Sequence, residues 1–298
     1  MLMDANRPED KHLFSLYLQI KPNTLMKEAE IRIRPARSLS FQLSEIWDNR
    51  ELLYFFTWRD IKVKYKQTWL GILWAVLQPV LLMAIFYFIF SRTLRIDTGT
   101  NYPVYAFSGL ILWGLFSSGI TNSSESLLTN APIIRKIYFP RILIPLSSLL
   151  TALVDFLFAF FVLFVLLLIF RQPLNWSALV YFPLAIIMTF LSSFGVGTLI
   201  GALNVKYRDF RYLLPFSIQF LFFGSQIVYT IHNITTGWAK SLFYLNPLNG
   251  ALEIFRQPLS DTTIYWPGVF ISLVSLLIFV VVGLFYFKKT ETYFADLV

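Results

Sequence analysis

RDIKVKYKQTWLGILWAVLQP, residues 59–79, joins a basic and aromatic run directly to a long apolar segment. Lysine and arginine are favoured beside anionic lipid headgroups, and the amphipathic rings of tryptophan and tyrosine are favoured at the membrane interface. The apolar segment continues to Phe90. This stretch therefore predicts a cytoplasmic anchor, an entry point into the membrane and the beginning of a membrane-spanning helix.

The composition of the chain is that of a protein that crosses the bilayer several times. Of its 298 residues, 56% are hydrophobic and only 14% are charged, whereas soluble domains carry about 25% charged residues. A net charge of +8 would favour nucleic-acid binding in a soluble protein, but here the bases cluster beside apolar segments. We therefore expect no nucleic-acid partner.

The residues that most enzymes need are scarce. The chain contains no cysteine and only two histidines, which excludes thiol catalysis and thiolate metal sites and argues against a histidine metal site. No phosphate-binding loop of the form GxxxxGK followed by Ser or Thr is present in the sequence, so the chain is not expected to hydrolyse ATP. We predict no catalytic residue, no metal site and no cofactor in this chain.

Six windows of about 20 mostly apolar residues predict membrane-spanning helices, because a helix needs that length to cross the hydrocarbon core. The predicted spans are residues 69–91, 103–124, 142–170, 178–204, 212–231 and 266–287. The fold class is therefore an all-α polytopic membrane protein with six transmembrane helices.

The distribution of bases predicts which side of the membrane each connection faces, because cytoplasmic connections carry an excess of lysine and arginine. With the amino end inside, the cytoplasmic flanks carry Arg50, Arg59, Lys62, Lys64, Lys66, Arg135, Lys136, Arg141, Lys206, Arg208, Arg211, Lys288 and Lys289. The opposite side carries Arg92, Arg95, Arg171, Lys240 and Arg256. Both termini are therefore predicted to be cytoplasmic, which agrees with an even number of spans.

Two segments precede the first span. Residues 1–43 hold scattered charges and three prolines and predict a loosely ordered cytoplasmic arm. From residue 44, where the permease domain 44–298 begins, apolar and charged side chains fall on different helical faces. This pattern predicts an amphipathic interface helix over residues 44–58, whose length and charges forbid a span. The alternative is a soluble helix docked on another subunit.

Two connections are unusual. Residues 125–141, ESLLTNAPIIRKIYFPR, are too polar to sit in lipid, and Pro132 and Pro140 predict a rigid short element there. The alternative is an ordinary loop. Residues 232–265, between the fifth and sixth spans, are neither a clean span nor a typical polar loop. They predict one or two short re-entrant helices in the outer half of the membrane.

Two features lie inside the predicted spans. Asp155 is the one carboxylate well inside a span, and intramembrane charges are expensive and often functional. The alternative is a hydrogen-bonded or neutral aspartate that faces another helix. Residues 192–201 are rich in glycine and serine, which predicts close packing against neighbouring helices.

The sequence of residues 59–79, with PIIRKIYFPRILIPLSSL at residues 132–149, closely resembles the membrane subunit of type-2 ABC exporters that carry lipid-linked polysaccharide such as O-antigen. The resemblance covers about residues 40–290. It implies a homodimer of permeases in the bacterial inner (cytoplasmic) membrane, in contact with membrane lipids, and two separate ABC ATPase subunits that bind ATP and Mg. The implied substrate is an undecaprenyl-diphosphate-linked polysaccharide, as in lipopolysaccharide biosynthesis. O-antigen, capsule and teichoic acid permeases look alike at this level.

The resemblance also implies roles for particular residues. The segment at 133–139 matches the coupling helix that docks on the ATPase in these exporters, and the short helices before the last span match their gating helices. The predicted ATPase-coupling residues are Ile133, Ile134, Arg135, Lys136, Ile137, Tyr138 and Phe139, together with Glu45, Asp48 and Arg50.

Two further sets of residues are predicted to touch the substrate. The densest basic cluster is expected to bind the lipid diphosphate, although these bases could instead only set topology: Arg59, Lys62, Lys64 and Lys66. Aromatic rings bind sugar faces while a chain slides past, so the predicted channel-lining residues are Tyr87, Tyr105, Trp113 and Phe222, with residues 241–257 closing the outer end. Lipid contact and core packing are the alternative roles for these rings.

Two other classes of transporter stay open. A type-2 permease for a small amphiphile or drug would share the spans but would tend to lack the continuous aromatic lining. A secondary transporter should show charged pairs or broken helices at the middle of the membrane, and the absence of evident internal repeats argues against an inverted-repeat design.

Overall fold

A computed structural model describes residues 43–66, 71–93, 100–207, 209–230, 237–260, 263–291 and 294. Apart from Leu43, the predicted amino-terminal arm lies outside these residues. Within the described ranges every regular element is a helix. The prediction of an all-α fold is therefore confirmed.

The helices follow one another in a simple order. They are α1 Leu43–Asp48, α2 Arg50–Lys66, α3 Gly71–Phe86 with a π-helical continuation Tyr87–Thr93, α4 Tyr102–Thr129, α5 Ala131–Ile134, α6 Leu143–Ile169, α7 Ala178–Lys206, α8 Phe210–Phe223, α9 Gly237–Tyr244, α10 Pro247–Arg256 with a 3-10 turn Gln257–Leu259, and α11 Trp266–Glu291.

Five of the predicted spans are confirmed as helices long and apolar enough to cross a membrane. They are Leu73–Ser91, Tyr102–Thr129, Leu143–Ile169, Ala178–Lys206 and Trp266–Glu291. In each case a long run of apolar residues forms a continuous helix, because only helical hydrogen bonding satisfies the backbone of a single segment in lipid.

The predicted fifth span, residues 212–231, needs correction. Its helix is α8, which has only 14 residues and is about 21 Å long at 1.5 Å per residue, shorter than the hydrocarbon core. The helix ends at Phe223 with Gly224 as its C-cap, and side chains of α10 bind the backbone that follows: the amide of Gln226 donates to Asn249 Oδ1 at 2.8 Å. These partners replace the helical hydrogen bonds, so the apolar pattern alone overestimated the helix.

The interface helix also differs from its predicted bounds of 44–58. It breaks at Asn49 and then continues as α2 to Lys66. Phe56 is buried on the rest of the bundle, and α2 packs along α6. The helix does not end at Trp58, because this packing extends it through the basic residues that we placed at the membrane entry.

α4 is the central helix of the bundle. In its most apolar 18-residue window 72% of the residues are buried, whereas the corresponding window of the first span has none. α6 and α7 flank α4, and α11 packs against α7. A Cβ atom on Gly195 of α7 would lie 2.7 Å from the backbone nitrogen of Val280 in α11. The small residues at 192–201 therefore permit the close approach that the sequence predicted.

The long helices alternate in direction, so their ends form two distinct surfaces. At one end, which we call the basic end, Leu127 of α4, Leu143 of α6, Val205 of α7 and Phe287 of α11 share one apolar cluster. At the other end, which we call the far end, Asn101 donates to Gln172 at 2.8 Å, ahead of α4 and after α6. The basic end carries Arg135, Lys136, Arg141, Lys206, Lys288 and Lys289.

The two short helices predicted between the last two spans are present as α9 and α10. Asn246 caps α10, accepting from the amide of Leu248 at 3.1 Å. α10 is buried along its whole length. Its end is tied to the far end of the bundle, where the backbone oxygen of Leu259 in the 3-10 turn accepts from Gln172 at 2.9 Å.

A buried arginine connects α10 to both α4 and the irregular segment after α8. The guanidinium of Arg256 donates to the carbonyl oxygens of Tyr105 at 3.0 Å and Ile227 at 2.6 Å, and also to that of Gln226. It lies over the ring of Tyr105, 3.6 Å from its centre. An irregular backbone at membrane depth must find its hydrogen-bond partners within the protein. Arg256 supplies three such bonds, two of them to this segment.

Gly109 provides the space that this arginine occupies. A Cβ atom at Gly109 would overlap the guanidinium of Arg256 and lie 2.6 Å from the carbonyl oxygen of Ile227. Five residues further along α4, a Cβ atom at Gly114 would meet nothing within 4 Å. The two glycines thus form a matched pair on one helix.

We predict that Gly109→Ala destabilises the chain by about 1–3 kcal/mol, the usual cost of overpacking a close contact. The measurement is the midpoint of thermal unfolding of the purified protein. Gly114→Ala is the control and should unfold no earlier than the wild type, because alanine also favours the helix over glycine. Equal midpoints for the two variants would contradict the role given to Arg256.

Candidate functional site

The basic end brings together the two segments that were predicted to touch a partner subunit. The rings of Phe56 in α2 and Phe139 in the loop before α6 lie 5.4 Å apart. Nearby, Arg59 donates to the side-chain oxygen of Asn130 at 2.7 Å. The end of α4, the loop after α5 and α2 therefore form one connected surface.

The loop between α4 and α6 presents its middle and buries its flanks. Ile134 and Phe139 are buried, whereas Ile137 and Tyr138 are 62% and 80% exposed. Arg135 and Lys136 are also exposed. The loop is therefore anchored by an apolar side chain on each side, while its middle stays exposed.

The predicted coupling residues on the amino-terminal side are also accessible. Glu45, Asp48 and Arg50 are exposed. Arg50 donates to the carbonyl oxygen of Trp47 at 3.3 Å and lies over the Trp47 ring, 5.4 Å from its centre. Their contact with an ATPase stays a prediction.

The four bases predicted to bind a lipid diphosphate divide into two pairs. Arg59 binds Asp60 at 2.7 Å as well as Asn130, and Lys64 forms an ion pair with Asp155 of α6. Lys62, Lys64 and Lys66 are all exposed. Because Lys64 is held by Asp155, the ligand contact predicted for this cluster is best examined at Lys62 and Lys66.

Asp155 is held from two sides by α2. One of its carboxylate oxygens accepts from Lys64 and the other accepts from the hydroxyl of Tyr65. Burial, followed by the hydrogen bond to Asp155 and its negative charge, raises the pKa of Tyr65, so the hydroxyl stays protonated and donates. This is the hydrogen-bonded aspartate facing another helix that the sequence left as an alternative.

This contact also fixes how α2 lies. Asp155 is about 18 Å along α6 from Leu143 at 1.5 Å per residue, well away from the basic end. Phe56 contacts the basic end itself. α2 therefore climbs along α6, so its lysines lie beside the middle of the bundle rather than below it.

The four rings predicted to line a channel are in different surroundings. Trp113 and Phe222 contact each other edge to face, with centres 5.3 Å apart, and both are partly exposed. Tyr87 is exposed at 37%. Tyr105 is only 7% exposed, and its hydroxyl donates to the carbonyl oxygen of Tyr229 at 2.8 Å. Within this single chain Tyr105 packs inside protein beneath Arg256, and its role in lining a channel stays a prediction.

Sequence reasoning missed two partnerships. It assigned Lys64 to the lipid diphosphate, and it named no residue as the partner of Asp155. A carboxylate inside a span is nevertheless expected to have a cation nearby. It counted Arg256 among the outer bases, although the structure buries it. The isolated Asp155 was a usable signal for the first pairing, whereas nothing local to Arg256 indicated the second.

The chain is similar in sequence to known membrane transport proteins. The family model described as ABC-2 type transporter matches residues 51–259. Two proteins of Klebsiella pneumoniae, each named O-antigen export system permease protein RfbA, are 32% and 30% identical over 259 residues, which cover 87% of this chain and 98% of each relative. The polysialic acid transport protein KpsM of Escherichia coli is 27% identical over 212 residues, 67% of this chain and 77% of that relative.

Proposed function

The chain belongs to the ABC-2 type transporter family, and from that premise we propose that it is the permease subunit of an exporter of lipid-linked polysaccharide, with O-antigen as the first candidate. The observation that carries the proposal is the likeness to O-antigen export permeases along almost their whole length. A type-2 permease for a small amphiphile or drug is the less favoured alternative. A secondary transporter is disfavoured by the match to the ABC-2 type transporter family.

In this proposal the energy comes from two separate ATPase subunits that bind ATP and Mg. The anchored loop of residues 135–138 and the exposed face of α1 and the start of α2 would receive them. The exposed apolar side chains of Ile137 and Tyr138 support this assignment, because an exposed apolar tip beside bases is typical of a docking surface.

A second copy of the chain would complete the path for the polymer. No residue in the apolar window of the first span is buried. α8 is too short to cross the core alone and exposes an aromatic face. A partner copy packed on these helices, with Trp113, Phe222 and Tyr87 near the interface, would enclose a path along which weak ring contacts exchange. The exposed large apolar residues of α8 are Tyr212, Leu213, Phe216, Phe220 and Phe223.

The proposed location is the bacterial inner membrane with both termini in the cytoplasm. The concentration of bases at the basic end supports this orientation. The undecaprenyl-diphosphate head of the substrate would then approach from the cytoplasmic side and move along α2 to Lys62 and Lys66, which are exposed beside the bundle.

Deletion of the gene followed by complementation tests the proposed function. We expect the deletion to abolish surface polysaccharide and to cause lipid-linked polymer to accumulate inside the cell, and we expect complementation to reverse both changes. We also expect an ATPase subunit to copurify with the tagged chain. Chemical analysis of the polymer separates O-antigen from a capsular polysaccharide. Normal surface polymer in the deletion strain would overturn the proposal.

The docking loop gives a second prediction. Tyr138→Ala should lower export and the ATPase activity of the complex several-fold, because it removes an exposed ring from the proposed contact. Trp176→Ala is the matched control, since Trp176 is equally exposed but follows α6 at the far end of the bundle. Both variants are compared for membrane insertion, ATPase copurification and export. An effect of equal size in the two variants would contradict coupling through this loop.

A third prediction separates substrate binding from topology. The double variant Lys62→Gln and Lys66→Gln should insert normally but export about tenfold or more slowly, since each base near an anionic surface contributes about 1 kcal/mol. Lys206→Gln, which changes a base at the end of α7, is the control. Insertion is checked by the accessibility of tags at both termini. Export at the wild-type rate by a correctly inserted double variant would leave these lysines with a topological role alone.

A further inference from the structure

A groove opens beside the Lys64–Asp155 ion pair. It has a volume of about 630 Å³ and lies between the start of α3, the middle of α4 and the middle of α6. Its walls are mostly apolar, with Gln78, Ser117 and Ser118 among them, and Lys64, Tyr65 and Asp155 form a hydrogen-bonded polar cluster in its lining. The apolar walls include Trp74, Leu82, Trp113, Phe156 and Ala159.

The combination of apolar walls and a charged cluster fits an amphiphilic ligand. A polar ligand would leave the rings and aliphatic walls in contact with polar atoms, and a purely apolar ligand would place hydrocarbon against the Lys64–Asp155 ion pair and the hydroxyl of Tyr65. A lipid with an anionic head satisfies both, since its chain contacts the walls while its head accepts from Lys64 and Tyr65. The volume is typical of a small-ligand site, so only the first part of a long chain would enter.

We propose that this groove holds the head-proximal part of the polyprenyl chain of the substrate, with the diphosphate at Lys64 and the exposed lysines of α2. The inference rests on the proposed function for the identity of the lipid, and it adds the place where the carrier chain binds. In the structure Asp155 is the counter-ion of Lys64.

An exchange of partners at Lys64 follows from the charges. Asp155 carries one negative charge, whereas a diphosphate brings two or more and several acceptor oxygens. Lysine is a flexible point charge that can rotate from one acceptor to another. The hydroxyl of Tyr65 stays a donor to either partner. Binding of the lipid therefore exchanges one ion pair for another at the mouth of the groove.

The path of α2 makes the groove reachable from the basic end. Polar groups at membrane depth are tolerated only where they face protein or water. α2 carries Arg59, Lys62, Lys64 and Lys66 over its last two turns and ends beside the groove, so a phosphate head at this part of α2 meets bases rather than bare hydrocarbon. The chain of the lipid stays in the bilayer until its first units enter between α3 and α6.

Photolabelling in vesicles tests this proposal. The complex is reconstituted in phosphatidylcholine vesicles that contain a polyprenyl diphosphate with a diazirine on its head-proximal isoprene units. We expect labelled peptides from the walls of the groove, in residues 74–82, 110–118 and 155–159. Labels confined to other helices would overturn the proposal, and this mapping needs no variant.

Two variants examine the groove and its mouth separately. Gly114→Leu fills the groove, because a side chain at Gly114 starts in open space, and it should lower labelling at least about fivefold. Gly237→Leu is the matched control, since a Cβ atom there also meets nothing within 4 Å and Gly237 lies outside the groove. Lys64→Gln should lower labelling about fivefold, as expected for one base, whereas Asp155→Asn should raise it by removing the competing anion. If Asp155→Asn folds but is labelled less than the wild type, the exchange of Asp155 for the diphosphate at Lys64 is overturned.

Two further probe lipids show whether the groove recognises both the diphosphate head and the polyprenyl chain of the lipid. A diacylglycerol diphosphate carries the same head on acyl chains, and a neutral polyprenol carries the same chain without the head. Equal labelling by either would overturn selectivity for a polyprenyl diphosphate. Labelling requires neither ATP nor polysaccharide, so a complex that exports polymer but is not labelled in the groove overturns this inference alone. A complex that is labelled but exports no polysaccharide overturns the proposed function alone.

Discussion

Polar groups at the depth of the bilayer core cannot rely on water for their hydrogen bonds, and two side-chain networks in this chain meet that requirement. At the far end, Arg256 donates to the carbonyl oxygens of Tyr105, Gln226 and Ile227, so the irregular segment after α8 can lie inside the bundle. Beside the middle of α6, Lys64 and Tyr65 hold Asp155. Without these bonds each buried group would cost several kcal/mol.

The first network explains why α8 can be short. Its helix stops at Phe223, and the following backbone continues through contacts with Asn249 and Arg256 of α10. The far end is thereby built from short pieces joined by side chains rather than from one long helix. Such an assembly can rearrange at a few hydrogen bonds while the long helices stay intact, which suits elements that close a path.

In the second network, some bases of α2 bind within the chain and others face outward. Arg59 and Lys64 bind within the chain and fix α2 to α4 and α6, whereas Lys62 and Lys66 face outward. α2 also contacts Phe139 beside the exposed loop, through Phe56. The surface proposed for docking on an ATPase and the lysines proposed for an anionic head are thus joined by one helix.

The amino-acid order alone was sufficient to predict the all-α class, five of the membrane-spanning helices and the presence of short helices before the last one, because insertion depends on the hydropathy of each segment taken separately. It could not predict the early end of α8, the burial of Tyr105 or the pairing of Lys64 with Asp155. Each of these depends on residues far apart in the chain, such as Arg256 reaching Tyr105. Only packing brings such atoms within hydrogen-bond distance, and the free energy of satisfying buried polar groups then overrides the local apolar pattern.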